Sequence, residues 1–170
     1  MKDKKDYKAI IKLVFMIKAV ILDWIGTLYQ RDIGLFPDSE QTLSALQKKG
    51  VRMSLVSLTK NDNSRKVEIE SSGLTKYFDH VVINKTKDAS QYLMCMHLMN
   101  LRHNSPNEQI SNRNTLLVDD RTLRGIKIGN ELQCPTAWIR RGEYSHEIPN
   151  QETGQPSYTI ETVSDILRII

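Results

Sequence analysis

The chain has 170 residues, 39% of them hydrophobic and 26% charged, values that suit one soluble globular domain and exclude a disordered or membrane-embedded chain. Its 24 basic and 20 acidic residues leave a formal charge of +4, a mild bias toward anionic partners that does not by itself indicate nucleic acid. The apolar start is interrupted by Lys12, Lys18 and Asp23 before it could form a spanning helix or a signal-peptide core, so a cytoplasmic protein with no membrane partner is expected. Residues 1–15 read as an N-terminal extension without chemical features, with Met16 an alternative start, and residues 16–170 as a single domain. Cys95 and Cys134 are isolated, with no C-x-x-C spacing, and read as structural thiols of a reducing compartment.

From residue 19 onward, short apolar runs alternate with helical periodicity. "AVILDW", "VRMSLVS", "HVVIN", "NTLLVDD" and "TAWIR" are apolar on both faces, as a parallel sheet covered by helices requires. "DSEQTLSALQKKG" predicts a helix capped at Asp38 or Ser39 and stopped by Gly50. "NDNSRKVEIESSGL" predicts a second, capped near Asn61 or Asp62 and ended by Gly73. "DASQYLMCMHLMNL" predicts a third, whose Tyr92, Met96 and Met99 form a core-facing stripe. "RTLRGIKIGNELQ" reads as a helix weakened by Gly125 and Gly129. A long polar loop follows, and "SYTIETVSDILRII" closes the chain as a strand and a helix capped at Thr162 or Ser164. The alternation predicts a doubly wound α/β domain, in which ligands bind at the carboxyl ends of the strands.

The polar residues at those ends are Asp23 after the first strand, Ser57 after the second, Lys85 and Lys87 after the third, and Asp119 with Asp120 after the fourth. Three acids brought together repel one another unless a cation neutralises them, and hard oxygen donors suit Mg²⁺. An anionic substrate would complete the charge balance.

At this point the pattern resembles a known family. "VILDWIGTLY" resembles the first motif of the haloacid dehalogenase-like (HAD) hydrolases, whose strand ends in a nucleophilic aspartate followed by Gly-Thr. "LFPDSEQTLSALQKKGVRMSLVS" resembles the linker, helix and second motif, "SGLTKYFDHVVI" the approach to the family lysine, and "LLVDDRTLRGIKIGNELQ" the acidic fourth motif. The resemblance implies a Rossmann-like parallel sheet with helices on both faces, and a Mg²⁺-dependent phosphohydrolase in which Asp23 becomes an aspartyl-phosphate. It implies a Mg²⁺ site of Asp23, the Ile25 backbone carbonyl, Asp120 and Asp119, which of the last two ligates directly being open. Ser57 would orient a phosphoryl oxygen, with Gly26, Thr27 and Thr59 beside the phosphoryl group. Lys87 would stabilise charge; it is preferred to Lys85 because its distance to the helix containing Tyr92 matches the family.

Two departures stand out. Phosphatases of this family carry an aspartate at the position of Ile25, where it protonates the leaving group and then activates water; isoleucine can do neither. Arg124 or Gly125 stands where many members have a further acid. The short intervals from Asp23 to Ser57 and from Ser57 to Lys87 leave no room for a sizeable cap, so the site is expected to be open to large substrates or to a partner protein acting as its lid. "DWIGT" is also similar to the D-W-A-G-T of phosphonoacetaldehyde hydrolases, and dehalogenases too lack the second Asp, but both depend on a cap. The main alternative is a weakly catalytic or inactive member kept as a binding module. His80, His97, His103 and His146 are candidates for a replacement base, and Arg140 and Arg141 for a phosphate contact.

Overall fold

The computed structural model describes residues 16–102 and 108–170, so the 1–15 extension and His103 lie outside the described residues. Six parallel strands form one sheet: β1 (Ala19–Leu22), β4 (Arg52–Leu58), β5 (His80–Asn84), β6 (Thr115–Asp119), β7 (Thr136–Ile139) and β8 (Tyr158–Ile160). Their order is β5-β4-β1-β6-β7-β8. The chain winds outward from β1 to β5, returns to place β6 on the other side of β1, and winds outward again. The connections therefore diverge between β1 and β6, which opens a crevice at the carboxyl ends of these strands.

Every residue of β1 is buried. Val20 and Leu22 pack on one face with Leu43 and Leu46 of helix α1 (Ser39–Lys48), Ile69 of α2 (Asp62–Ser71) and the C-terminal 3₁₀ turn through Val163 and Ile166. Ala19 and Ile21 pack on the other with Tyr92, Cys95, Met96 and Met99 of α3 (Ala89–Leu101). This two-sided burial explains why the strands read as continuous apolar runs rather than alternating ones. Cys95 and Cys134 are both buried and unpaired, and burial pushes their thiols up to about 11 and about 12, away from reactive thiolates.

The caps follow local chemistry. Asn61 accepts from the Ser64 N–H at 3.0 Å, and Asp88 with Gln91 forms a reciprocal capping box at the start of α3. Asp38 precedes α1 but makes no side-chain cap; its carboxylate instead accepts from Arg141 at 3.1 Å and from the Ser164 N–H at 3.1 Å, tying the helix entry to the far edge of the fold. Between β1 and α1 lies a small hairpin, β2 (Tyr29–Gln30) with β3 (Gly34–Leu35), turned by Asp32 at φ 63°. No larger insertion interrupts the described residues. None of the described helices is long and apolar enough to cross a membrane.

Candidate active site

Asp23 leaves the sheet in register, its N–H donating to the Val118 carbonyl at 2.9 Å, so its carboxylate emerges beside the end of β6. The next residue fixes the turn. Trp24 is fully buried, its ring stacks on Tyr29 with centroids 5.2 Å apart, and its carbonyl accepts from the N–H groups of Leu28 and Tyr29. Gly26 follows with φ +79°, a conformation that a Cβ disfavours; one placed there would also lie 2.0 Å from an oxygen of Asp120. The glycine is thus required for the Asp120 carboxylate, just after β6, to approach the β1 loop.

One oxygen from each of Asp23, Asp119 and Asp120 lies within 4.8 Å of the others. Lys87 reaches into this cluster from the loop before α3, its Nζ 2.5 Å from Asp23 Oδ1 and 2.7 Å from Asp119 Oδ2, with only 2% of its side chain exposed. Burial would lower the ammonium's pKa, but Asp119 and Asp23 outweigh it and hold the group well above its usual range. One lysine does not balance three acids. Burial, reinforced by the charge of Asp119, pushes Asp23 up to about 6 against the pull of Lys87; burial and the charges of Asp119 and Asp23 push Asp120 up to about 9. Three clustered oxygen donors in want of positive charge fit a hard divalent cation.

At the end of β4, Ser57 is buried and accepts a hydrogen bond from Arg65 Nη1 of α2 at 2.6 Å. Arg65, 8% exposed, also contacts Glu68 at 3.0 Å through Nε, and Glu68 accepts from the Trp24 indole N–H at 2.6 Å. A hydroxyl that accepts from a guanidinium turns its own proton away from it. The chain Trp24, Glu68, Arg65, Ser57 therefore sets the direction in which Ser57 donates.

Beyond β6 the backbone forms a π turn (Thr122–Ile126) before the short helix α4 (Lys127–Glu131). A Cβ on Gly125 would lie 2.3 Å from Asp119 Oδ2, so only glycine lets the turn close over that carboxylate. Glu147 pins the turn by accepting from Arg121 Nε at 2.5 Å and from the Thr122 N–H at 2.6 Å, and Arg121 stacks on Tyr144 at 3.6 Å. Together these elements enclose a crevice of about 520 Å³ lined by the three aspartates, Lys87, Ile25, Thr59 and a group of basic residues.

A family model described as haloacid dehalogenase-like hydrolase matches residues 2–139. The chain belongs to the haloacid dehalogenase-like hydrolase family. The fold is similar to that of an uncharacterised protein from Listeria monocytogenes serotype 4b, with TM-score 0.67 and 16% identity over 90% of this chain and 96% of that one. It is also similar to a HAD phosphatase from Thermococcus onnurineus, with TM-score 0.60 and 17% identity over 80% of this chain and 58% of that one. The magnesium-bound YfnB of Bacillus subtilis, described as a HAD-hydrolase, gives TM-score 0.59 and 18% identity over 80% and 56%. The chain thus spans little more than half the length of the latter two. No curated protein matches it at a significant level.

Within this HAD-like frame the residues singled out in the sequence separate into two groups. Asp23, Ile25, Thr59, Lys87, Asp119 and Asp120 line the crevice, with Ser57 buried at its base beneath Arg65. Lys85 is exposed and does not line the crevice, so Lys87 is the lysine that meets the carboxylates. Gly26 and Thr27 are buried and do not line it either; Gly26 makes room for Asp120, and the Thr27 carbonyl accepts from Arg141. None of the candidates His80, His97 and His146 lines the crevice, so no described histidine stands beside the carboxylates as a replacement base. Arg141 is a structural residue, paired with Asp38 and stacked on Phe36 at 3.6 Å, while Arg140 lies over Trp138. Arg31, Lys60, Arg65, Arg121 and Arg124 also line the crevice, and nothing in the strand-end pattern marks them. A larger cavity of about 810 Å³ opens at the opposite end of β1 and β4, among Ile17, Val51, Met53 and Ile170, and contains none of the clustered carboxylates.

Proposed function

We propose that this chain is a phosphohydrolase acting on phosphate monoesters through Asp23. The observation that carries the reading is the contact of one buried lysine with two of three clustered carboxylates at the point where the sheet connections diverge. A Mg²⁺ ion would be held by Asp23, the Ile25 carbonyl, Asp119 and Asp120, where it would neutralise the acids and polarise a phosphoryl oxygen. A carboxylate oxygen of Asp23 attacks phosphorus, the bond to the leaving oxygen breaks, and an aspartyl-phosphate forms. Lys87 stays ionised and offsets charge that develops on the transferring group, and Ser57 donates its proton to a phosphoryl oxygen. Water then cleaves the intermediate and restores Asp23. An uncapped crevice of this kind admits large substrates, or a partner protein that closes over it.

Ile25 favours a second reading. Ile25 lines the crevice at the sequence position of the family's acid and base, its side chain packs against the hydrophobic core, and no described histidine replaces it. On that reading the chain binds phosphorylated ligands and turns them over slowly. Hydrolysis of an activated aryl phosphate, with and without Mg²⁺, separates the two. Metal-dependent turnover abolished in Asp23→Asn supports the phosphohydrolase, and Ile25→Asp is expected to raise turnover by about 10²- to 10⁴-fold. Ligand binding without turnover in either the wild type or Ile25→Asp would leave the binding module.

A further inference from the structure

Six basic side chains line the crevice: Arg31, Lys60, Arg65, Lys87, Arg121 and Arg124. Three of them are matched to carboxylates, Lys87 to Asp23 and Asp119, Arg65 to Glu68, and Arg121 to Glu147. Arg31, Lys60 and Arg124 have no carboxylate partner among the described residues, and the crevice has no acid in its lining apart from the three clustered aspartates. Arg31, on the hairpin turn, repels the Arg65 guanidinium. Unmatched like charges lining one crevice are costly until an anion enters. At about 520 Å³ the crevice also has room for much more than a phosphoryl group.

We propose that the substrate carries a second anionic group, a carboxylate or another phosphate, which Arg31, Lys60 and Arg124 bind while the transferred phosphoryl group lies at Asp23. This rests on the phosphohydrolase reading and narrows its substrate class. The inner cations are occupied by protein acids and a transferred group at Asp23 meets Lys87 and Ser57, so the outer three answer to the remainder of the substrate. Arginine on two sides favours a planar or tetrahedral oxyanion, which it can grip with paired N–H groups.

The test uses Asp23→Asn, which cannot form the aspartyl-phosphate, in excess Mg²⁺, with binding read by calorimetry. Glycerol 3-phosphate is compared with 3-phosphoglycerate, and fructose 6-phosphate with fructose 1,6-bisphosphate. The doubly anionic member of at least one pair is expected to bind about tenfold more tightly or better, the scale of one charge-assisted hydrogen bond. Preference in the first pair alone identifies a carboxylate, and in the second alone a phosphate. Replacing Arg31, Lys60 and Arg124 together by alanine should bring the ratio close to one. Monophosphates that bind with no preference in either pair would overturn the inference and leave the phosphohydrolase intact. A preference that survives the triple replacement would overturn the assignment to these three residues. No binding of any of the four compounds would refute the phosphohydrolase reading itself, and this inference with it.

Discussion

Lys87→Met is the perturbation with the largest effect traceable to specific distances. The ammonium lies 2.5 Å from Asp23 and 2.7 Å from Asp119, and both it and Asp119 are only 2% exposed at the side chain. Removing one partner from a buried charge pair typically costs about 3–5 kcal/mol, because the remaining charge is left without compensation. Here two carboxylates lose the same cation, while Asp120, pushed up to about 9, is already largely protonated beside them. In a chain of this size each kcal/mol lowers the melting temperature by about 2–4 °C, so metal-free Lys87→Met should melt roughly 6–20 °C below the wild type. Two conditions should narrow the gap. Millimolar Mg²⁺ supplies replacement positive charge, and acidification from about pH 8 to about pH 6 begins to protonate Asp23, whose carboxyl is pushed up to about 6. Thermal melts by circular dichroism over a matrix of pH and Mg²⁺ read all three effects, with Lys85→Met, an exposed lysine, expected within about 0.5 kcal/mol of wild type. A loss under about 3 °C, or one equally large in Mg²⁺ and acid, would refute the electrostatic account.

Further outcomes follow from the same centre. Metal-free protein binds the Asp120 proton more tightly when folded, since that carboxyl rises from 3.8 to about 9, so this group's contribution to stability is full below 3.8 and is lost as pH rises through 9. Thermal melts across that range in chelator should show it. Mg²⁺ binding has the opposite slope, because a proton must leave as the cation enters: its apparent affinity, by calorimetry, should rise with pH up to about 9, by as much as about tenfold per unit. Arg65→Met should weaken orthophosphate binding about tenfold in otherwise wild-type protein but less than about twofold in Ser57→Ala, since Arg65 acts by directing the Ser57 hydroxyl; equal losses in both backgrounds would instead mean direct contact with the anion.

The sequence carries the sheet and the acidic centre because each has a local signature. A strand buried on both faces must be apolar throughout, so an aspartate at the end of "AVIL" or "TLLVD" conflicts with its surroundings and marks the crevice. The hairpin of β2 and β3 has no such signature, since each strand is two residues long and its turn depends on Asp32 and Gly34 at positive φ. The segment after Asp120 has helical periodicity but begins as a π turn, because its backbone must close over the Asp119 carboxylate at Gly125. Arg65 was illegible for a different reason. It lies on a helix of largely polar composition, where an arginine ordinarily faces water, and only the approach of α2 to β4 brings it to Ser57.

The centre retains the features that are costly to keep and lacks the one that is cheap to supply. Two buried carboxylates, a third that is partly exposed and a buried lysine oppose folding unless a cation or ligand offsets them, whereas the proton-transfer group could be restored by a single side chain at position 25. A scaffold with no ligand would gain stability by replacing the charged cluster with apolar residues. Its presence therefore supports the proposal that the centre binds a cation and a phosphoryl group, with the effect of Ile25 falling on a later step. If Asp23 is the nucleophile, a leaving group that departs without protonation would spare the first step from the loss of an acid at position 25, while Ile25 could not activate water for the second. On the phosphohydrolase reading proposed above, the expected outcome is a phosphorylated Asp23 that accumulates during turnover in the wild type and not in Ile25→Asp, checked by intact-protein mass spectrometry after acid quench.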